Sequence, residues 1–329
     1  MSPTIFIKIC MPGDELFADF ISASECKPGD IDVNTLLNCV IVYRDNMPVG
    51  RSCLYVNSDL HHDGMPVLVF GNFDCINDTA VSSALFGYIE QVAKDKNLQF
   101  MIGPMNGSTW NDYRLPITGE RSTFTGDLDQ PLYYSALLSN AGYTMMHRYY
   151  SSVAPIHITE APCEDTIPVL ASEGVTIRGI DVDNYTEELK KIYELCATAF
   201  AQNVLFSPID EATFVNRYLP FRNIITSDLV LLAEQDSEII AVFFAYPDVQ
   251  ALPEKRVVIK TMARNPHKKV KDLVSTMIKI LHKNAVNLEY NEMVHAFMHE
   301  ENRSRELSLQ YEGTVIREYA LFIKEVAIG

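Results

Sequence analysis

The apolar positions of this chain predict the same succession of strands and helices twice. The first half opens with an apolar run at 5–10 and an amphipathic stretch at 13–24; its predicted strands lie at 37–43, 49–56, 67–73, 98–103 and 143–153, and its predicted helices at 78–95 and 131–141. In the second half they are strands at 175–180, 229–233, 239–246, 256–263, 293–298 and 314–324, and helices at 183–200, 210–218, 269–284 and 302–311. Asp78 is a predicted N-cap. Strand–helix–strand steps at 67–103 and 256–298 predict a parallel strand pair in each half.

A segment without clear periodicity separates the two halves. Residues 156–174 carry prolines and clustered acids, which favours a linker. A chain of 329 residues is also long enough for two domains. We therefore predict an N-terminal domain over 1–155, a linker over 156–174 and a C-terminal domain over 175–329.

Composition narrows the classes of partner. Hydrophobic residues make up 47% of the chain, enough for sizeable cores, and the formal net charge is −16. Such a charge repels phosphate backbones and anionic lipid, so we expect neither nucleic acid nor membrane as a partner. The N-terminus lacks the pattern of a signal peptide, and the seven cysteines form no CxxC pair. Reduced thiols and a cytoplasmic location are therefore predicted, while the oligomeric state is left open.

Several segments resemble the Gcn5-related N-acyltransferase (GNAT) superfamily. In the second half, residues 257–281 resemble its fourth strand, pyrophosphate loop and third helix, and residues 293–302 resemble a fifth strand ending in Asn. In the first half, residues 101–115 and 131–143 resemble an uncharacterised GNAT-like group. The resemblance implies an α/β (α+β) fold of two consecutive GNAT-like domains. Each would have a mixed, mostly antiparallel sheet, a central splayed parallel strand pair and flanking helices.

The resemblance also implies acetyl-CoA or another acyl-CoA as co-substrate, bound by the second half. The residues it assigns to this cofactor are Met262, Ala263, Arg264, Lys268, Lys269, Val270, Lys271, Asp272 and Asn302. The expected pyrophosphate loop, residues 269–274, has no glycine, and Asp272 brings a carboxylate close to the expected pyrophosphate. The corresponding residues 77–82 lack both glycine and basic side chains. The N-terminal domain is therefore predicted to be degenerate.

Candidate catalytic residues lie where a strand ends. The tyrosine that many GNAT enzymes use as general acid would fall on Leu309 or Leu138, neither of which donates a proton. His299 and Glu301 follow the predicted strand 293–298, at an edge where open sheets bind ligands, and they are our candidates for acid–base catalysis. No further ligands occur at metal-binding spacing, so no metal is predicted.

Five residues are candidates for binding the acceptor substrate. Lys260 interrupts an apolar strand and is either a structural lysine or an anchor for a substrate carboxylate. The other candidates lie at strand ends or in the polar and aromatic cluster after residue 103: Tyr246, Asn106, Trp110 and Tyr113.

Three functions stay open at this stage. The first is an N-acyltransferase that moves an acyl group from acyl-CoA to a small amine. The second is a tandem GNAT-like module that binds a small molecule or a protein without catalysis. The third, which resembles Fem-type transferases, would take aminoacyl groups from charged tRNA, and the net charge of −16 argues against it.

Overall fold

The computed structural model describes residues 3–24, 27–119, 124–156, 165–251 and 255–328. The strands are β1 (Ile5–Cys10), β2 (Leu36–Arg44), β3 (Met47–Tyr55), β4 (His61–His62), β5 (Met65–Cys75), β6 (Phe100–Gly103), β7 (Leu115–Pro116), β8 (Thr144–Pro155), β9 (Val175–Gly179), β10 (Val230–Gln235), β11 (Glu238–Pro247), β12 (Arg256–Arg264), β13 (Glu292–His299) and β14 (Thr314–Glu325). The helices are α1 (Phe17–Ser22), α2 (Thr79–Asp95), α3 (Tyr133–Asn140), α4 (Thr166–Ser172), α5 (Tyr185–Ala199), α6 (Glu211–Tyr218), α7 (Leu273–Asn287) and α8 (Arg303–Gln310).

One continuous sheet runs through both halves in the order β1-β2-β3-β5-β6-β14-β8-β13-β12-β11-β10-β9, and short strands β4 and β7 pair with β5 and β14. Most pairs are antiparallel, while β5 pairs with β6 and β12 with β13 in parallel. The element order of the first half recurs in the second, as the sequence predicts. The predicted fold class, a mixed sheet with one parallel pair in each half and flanking helices, is confirmed.

The two halves exchange their last strands. β14, from the second half, lies between β6 and β8 of the first half. β8, from the first half, pairs along its other edge with β13. Each half therefore completes its sheet with a strand that the other half supplies. Periodicity gives no information on pairing partners, so the sequence predicts these strands but not their exchange.

Amphipathic helices cover both faces of the sheet. α2 places Val81, Leu85 and Ile89 in the core of the first half, and the carboxylate of Asp78 accepts hydrogen bonds from the amides of Ala80 and Val81. The predicted cap at Asp78 is thus confirmed. α7 buries its apolar stripe against β11 and β12 in the second half. Within the described ranges, no helix has the length and apolar character needed to cross a membrane.

The predicted linker is partly helical. Residues 157–164 lie outside the described residues, but α4 occupies Thr166–Ser172. Leu170 of this helix is buried among apolar side chains of the second half. Because a single turn or two of helix offers few repeats of a 3.6-residue pattern, the apolar periodicity of such a segment is hard to detect.

Candidate functional site

A cavity of about 630 Å³ opens where β12 and β13 diverge. The two strands pair only from Arg256 to Ile259 and from Glu292 to His295. Beyond these residues β12 continues to pair with β11, and β13 continues to pair with β8. The facing edge of β12 after Ile259 therefore keeps backbone donors and acceptors that β13 does not satisfy.

Two β-bulges lie at the point of divergence. In β12, Phe244 of β11 faces Thr261 and Ala245 faces Ile259, so Lys260 is the extra residue. In β13 the register shifts between His295 and Met298, and Phe297 has a φ of +58°. A positive φ is rare for an aromatic residue, and it turns this segment out of the ladder. The bulges explain both the gap between the strands and the placing of a lysine in an apolar strand.

Lys260 projects into the cavity. Its Nζ lies 5.9 Å from the ring centre of Tyr218 and 5.6 Å from that of Phe221. The side chain contacts solvent inside the cavity, and protein atoms surround it on the other sides. This partial loss of hydration lowers the pKa of Lys260 to about 8. The nearby Asp112 acts in the opposite direction, whereas Arg217 and Arg114 lower the pKa further. The group is thus an amine whose charge changes near neutral pH.

The loop between β12 and α7 is held by Arg264. Its Nη2 donates to the carbonyl oxygens of Lys268 and Val270, both at 3.0 Å. Asp272 then precedes α7 with a φ of +56° and no side-chain cap. This is the left-handed region that glycine adopts most easily. The first-turn amides of α7 have no carbonyl within the helix to bond, so they form an anion-favouring terminus.

The equivalent gap in the first half is filled by the chain itself. β5 and β6 pair only over Val67–Val69 and Phe100–Ile102. After that, the amide of Met105 donates to the carbonyl of Phe70 at 2.7 Å, and the amide of Asn72 donates to Asn106 Oδ1 at 2.6 Å. A Cβ added at Gly71 would lie 2.2 Å from the carbonyl oxygen of Met105, so only glycine permits this approach.

His299 forms hydrogen bonds through both ring nitrogens. Its Nδ1 accepts from the amide of Glu301 at 3.2 Å, and its Nε2 lies 3.2 Å from Nδ1 of His147. Since an amide N–H can only donate, a neutral His299 carries its proton on Nε2 and donates it to His147. Burial lowers the pKa of His147, and the neighbouring His299 lowers it further. The structure therefore places His299 in the cavity wall with both of its ring nitrogens engaged by protein groups.

The predicted residues divide into three groups. Those that line the cavity are Lys260, Met262, Ala263, Arg264, Trp110, Tyr113, His299, Glu301 and Asn302. Those in the loop before α7, outside the cavity lining, are Lys268, Lys269, Val270, Lys271 and Asp272. Val270 is moreover buried in the core of the second half, so only its backbone is available to a ligand.

Two predicted substrate residues lie away from the cavity. Tyr246 is buried and its hydroxyl donates to the carbonyl of Thr125 at 3.0 Å. Asn106 is buried beside Asn72 in the filled gap of the first half. Both are corrections to the sequence analysis: a position at a strand end does not reveal which way a side chain points.

Arg114 is a cavity residue that the sequence analysis missed. It has a φ of +69° and follows Tyr113 in the short segment that closes the first half's gap. Its guanidinium carbon lies 4.0, 4.7 and 4.2 Å from the ring centres of Tyr113, Tyr149 and Phe297. Arginine beside the polar and aromatic cluster was the signal available in the sequence. Tyr149, on the exchanged strand β8, also lines the cavity.

A large sheet of two repeated halves, each with a diverging parallel pair, defines the tandem GNAT fold. The solved GCN5-related N-acetyltransferase from Sphaerobacter thermophilus is similar, with a TM-score of 0.54 and 12% identity over 99% of this chain and 96% of that one. A tandem GNAT protein from the clavulanic acid biosynthesis pathway gives a TM-score of 0.54 and 10% identity over 99% of this chain and all of that one (100%). These likenesses establish the fold.

Sequence comparison gives a further likeness. The chain is 24% identical to protein YghO of Escherichia coli (strain K12) in an alignment over 216 residues that covers 61% of this chain and 52% of that protein. The match thus spans about half the length of this curated relative. No protein-family model matches the chain.

Proposed function

We propose that the protein transfers an acyl group from an acyl-CoA thioester to a small amine bound in the cavity. The observation that carries this proposal is the divergence of β12 and β13 beside the start of α7. It combines a free strand edge, an open cavity and a helix N-terminus that favours anions. The tandem GNAT fold supports the same class of reaction.

The residues of the second half fit a CoA molecule. The free edge of β12 from Lys260 to Arg264 offers backbone groups to the pantetheine amides, and the first-turn amides of α7 face the expected pyrophosphate. Lys269 and Lys271 add exposed positive charge beside this helix terminus. When bound, acyl-CoA supplies an activated acyl group as a thioester.

Among its described residues, the first half offers no comparable site. Its strand edge is occupied by Met105 and Asn106, and the Asp78 carboxylate already accepts from the amides at the start of α2. A pyrophosphate there would have to displace a carboxylate of its own charge sign. We therefore assign acyl-CoA to the second half, and assign to the first half the opposite wall of the cavity.

Acyl transfer requires a base for the acceptor ammonium and a proton donor for the departing thiolate. Of the two predicted catalytic residues, His299 is engaged at both nitrogens. Glu301 lines the cavity, is exposed, and its carboxylate has no hydrogen-bond or ion-pair partner among the described residues. We assign the base to Glu301. On the opposite wall Tyr113 takes the place of the missing helix tyrosine, because burial raises the pKa of the neighbouring Tyr149 well above its usual value and makes it a weaker proton donor.

Isothermal titration with acetyl-CoA tests the donor site. We expect one saturable site per chain, weakened several-fold in the double variant Lys269→Gln/Lys271→Gln because two charges near the pyrophosphate are lost. The matched control Lys94→Gln/Lys96→Gln removes the same charge from the end of α2 in the first half and should leave binding unchanged. Absence of saturable binding would rule out the donor assignment.

A binding module without catalysis is the alternative that one observation favours. The positions expected for the general acid, Leu309 and Leu138, are apolar, with Leu309 exposed and Leu138 buried in the core. Release of free CoA thiol from acetyl-CoA, measured with a panel of primary amines, separates the two functions. Binding of acetyl-CoA with no thiol release by any amine would favour the binding module.

A further inference from the structure

Arg114 is a buried cation with unused hydrogen-bond donors. The residue is 8% exposed, and its Nε and Nη1 atoms have no hydrogen-bond partner among the described residues. Its guanidinium is enclosed by the rings of Tyr113, Tyr149 and Phe297. Aromatic faces attract a cation but accept no strong hydrogen bonds, so they offset only part of its lost hydration.

Arginine stays charged under all ordinary conditions, so Arg114 cannot reduce this cost by losing a proton. Buried guanidinium groups are normally paired with carboxylate or phosphate. The structure shows no ion pair between Arg114 and any carboxylate in the described part of the chain. An anion that enters the cavity would therefore meet a donor group whose desolvation has already occurred.

A second unpaired cation lines the same cavity. Lys260 has no ion pair or hydrogen bond among the described residues, and it is close enough to Arg114 for their charges to interact. A third, Arg217, is already engaged, because it donates to the carbonyl of Trp110 and lies 3.8 Å from Asp30. Arg114 and Lys260 thus offer positive charge at this end of the cavity, where Arg217 adds to it and the nearby carboxylate of Asp112 offsets part of it.

We propose that Arg114 and Lys260 bind a carboxylate group of the substrate. The inference rests on the proposed function, since it describes the molecule that meets the acyl-CoA thioester. Two sources share this chemistry. The carboxylate belongs either to the acceptor, which is then an amino acid or a related amine, or to the acyl chain of a dicarboxylic acyl-CoA.

Calorimetric titration with matched ligands tests the site and distinguishes the sources. In the first arm each of a panel of L-amino acids is compared with its carboxamide, which keeps the amine and the side chain but removes the charge. In the second arm succinyl-CoA is compared with acetyl-CoA. Trp110, the chain's single tryptophan, lies in the cavity wall, so quenching of its fluorescence shows that the ligand occupies this cavity.

In one of the two arms we expect the ligand with the carboxylate to bind at least about tenfold more tightly than its partner without it, the usual effect of a charge-assisted hydrogen bond. Arg114→Gln and Lys260→Gln should each reduce this preference to about twofold. The control Lys283→Gln removes an exposed lysine of α7 that is outside the cavity lining and should keep the preference. Thermal unfolding checks each variant, and Lys260→Gln carries the test if Arg114→Gln does not fold.

The outcomes separate this proposal from the previous one. Equal binding of the ligands with and without the carboxylate in both arms would overturn the carboxylate site. A preference for the carboxylate that survives both substitutions would overturn it as well. If amino acids bind with the expected preference but acetyl-CoA does not bind, the carboxylate site stands and the acyltransferase proposal fails. If acetyl-CoA binds and neither arm shows a preference, the reverse holds.

Discussion

The Nε2 atom of His299 lies 3.2 Å from the Nδ1 atom of His147, and this contact connects the end of β13 to the exchanged strand β8. The amide of Glu301 occupies the other nitrogen of His299. To accept a proton from a substrate, His299 must first break one of these two bonds. The arrangement therefore makes His299 a group that holds β13, β8 and the Glu301 backbone together at the cavity wall.

The first prediction follows from this division of roles. Glu301→Gln should lower kcat by about 100-fold or more, because a general base contributes on that scale, and should leave the Kd of acetyl-CoA unchanged. His299→Gln should have a smaller effect on kcat. Steady-state kinetics with thiol detection measures both. Glu306→Gln, on the exposed face of α8, removes a similar charge as control. A loss for His299→Gln equal to or greater than that for Glu301→Gln would reverse the assignment.

A second prediction concerns His295, which is buried in the wall between α7 and α8. Its Nδ1 contacts Ser308 Oγ at 2.8 Å, while Nε2 has no partner among the described residues. Burial, with a smaller contribution from His282, lowers the pKa of His295 from 6.5 to about 4. Between these two values the unfolded chain binds more protons than the folded chain. Folding stability is therefore full above pH 6.5 and falls as the pH decreases toward 4.

The loss over this window should reach about 3 kcal/mol for one such group. Urea unfolding at pH 7.5, 6.0 and 5.0 measures it. His295→Gln, which keeps a polar partner for Ser308 but does not titrate, should show a smaller loss between pH 7.5 and 5.0 than the unsubstituted chain. His267→Gln, an exposed histidine of the loop before α7, should keep the full loss. An unchanged pH dependence in His295→Gln would contradict the argument.

Secondary structure was the part of the fold most accessible from the sequence. A long segment such as α2 has several apolar repeats, so its periodicity is unambiguous, and the N-cap Asp78 marks where it begins. Short segments carry too few repeats: the sequence predicts a linker in the region of α4, whereas the structure has a helix there. The exchange of β8 and β14 depends on which edges meet, and alternation along one strand contains no such information.

The candidate site was predictable only in part for a similar reason. Lys260 could be singled out because a charged residue in an apolar strand is unusual, and the β-bulge that directs it into the cavity supplies the physical cause. Arg114 was missed because an arginine in a loop is ordinary until its burial among three aromatic rings is known. Tyr246 was misplaced because its side chain faces Thr125 and not the cavity.

A third prediction addresses the loop before α7. Asp272 has a φ of +56°, a conformation that glycine adopts more easily, and its carboxylate stands at the helix end where pyrophosphate is proposed to bind. Asp272→Gly should tighten acetyl-CoA binding by about threefold to tenfold, since it removes a like charge. Folding stability should change little, because relief of the backbone strain offsets the lost attraction between the carboxylate and the helix dipole.

Calorimetry and thermal unfolding measure these two effects, and Asp272→Asn separates charge from conformation. The asparagine also tolerates the left-handed region but carries no charge, so it should give most of the gain in affinity. Weaker acetyl-CoA binding in both variants would show that the carboxylate assists the site or that the ligand lies elsewhere.

The fourth prediction tests the exchange of strands. Phe322 belongs to β14 in the second half of the chain, yet it is 1% exposed and packs in the core of the first half, in the same cluster as Leu68 and Met101. Phe322→Ala should therefore cost about 3–5 kcal/mol in the free energy of unfolding, as expected for a large buried side chain. Val315→Ala, at an exposed position of the same strand, should cost much less.

Hydrogen exchange shows where the Phe322→Ala cost falls. If β14 completes the sheet of the first half, the amides of β5 and β6 should lose protection, although the substitution lies more than two hundred residues away in sequence. Loss of protection confined to β9–β12 would mean that β14 serves only its own half. Because β14 separates β6 from β8, its loosening should also disturb Tyr149 on β8, and with it the cavity wall. The strand exchange thus makes the proposed donor half and the opposite wall one cooperative structure, so that stability and ligand binding should decline together in this variant.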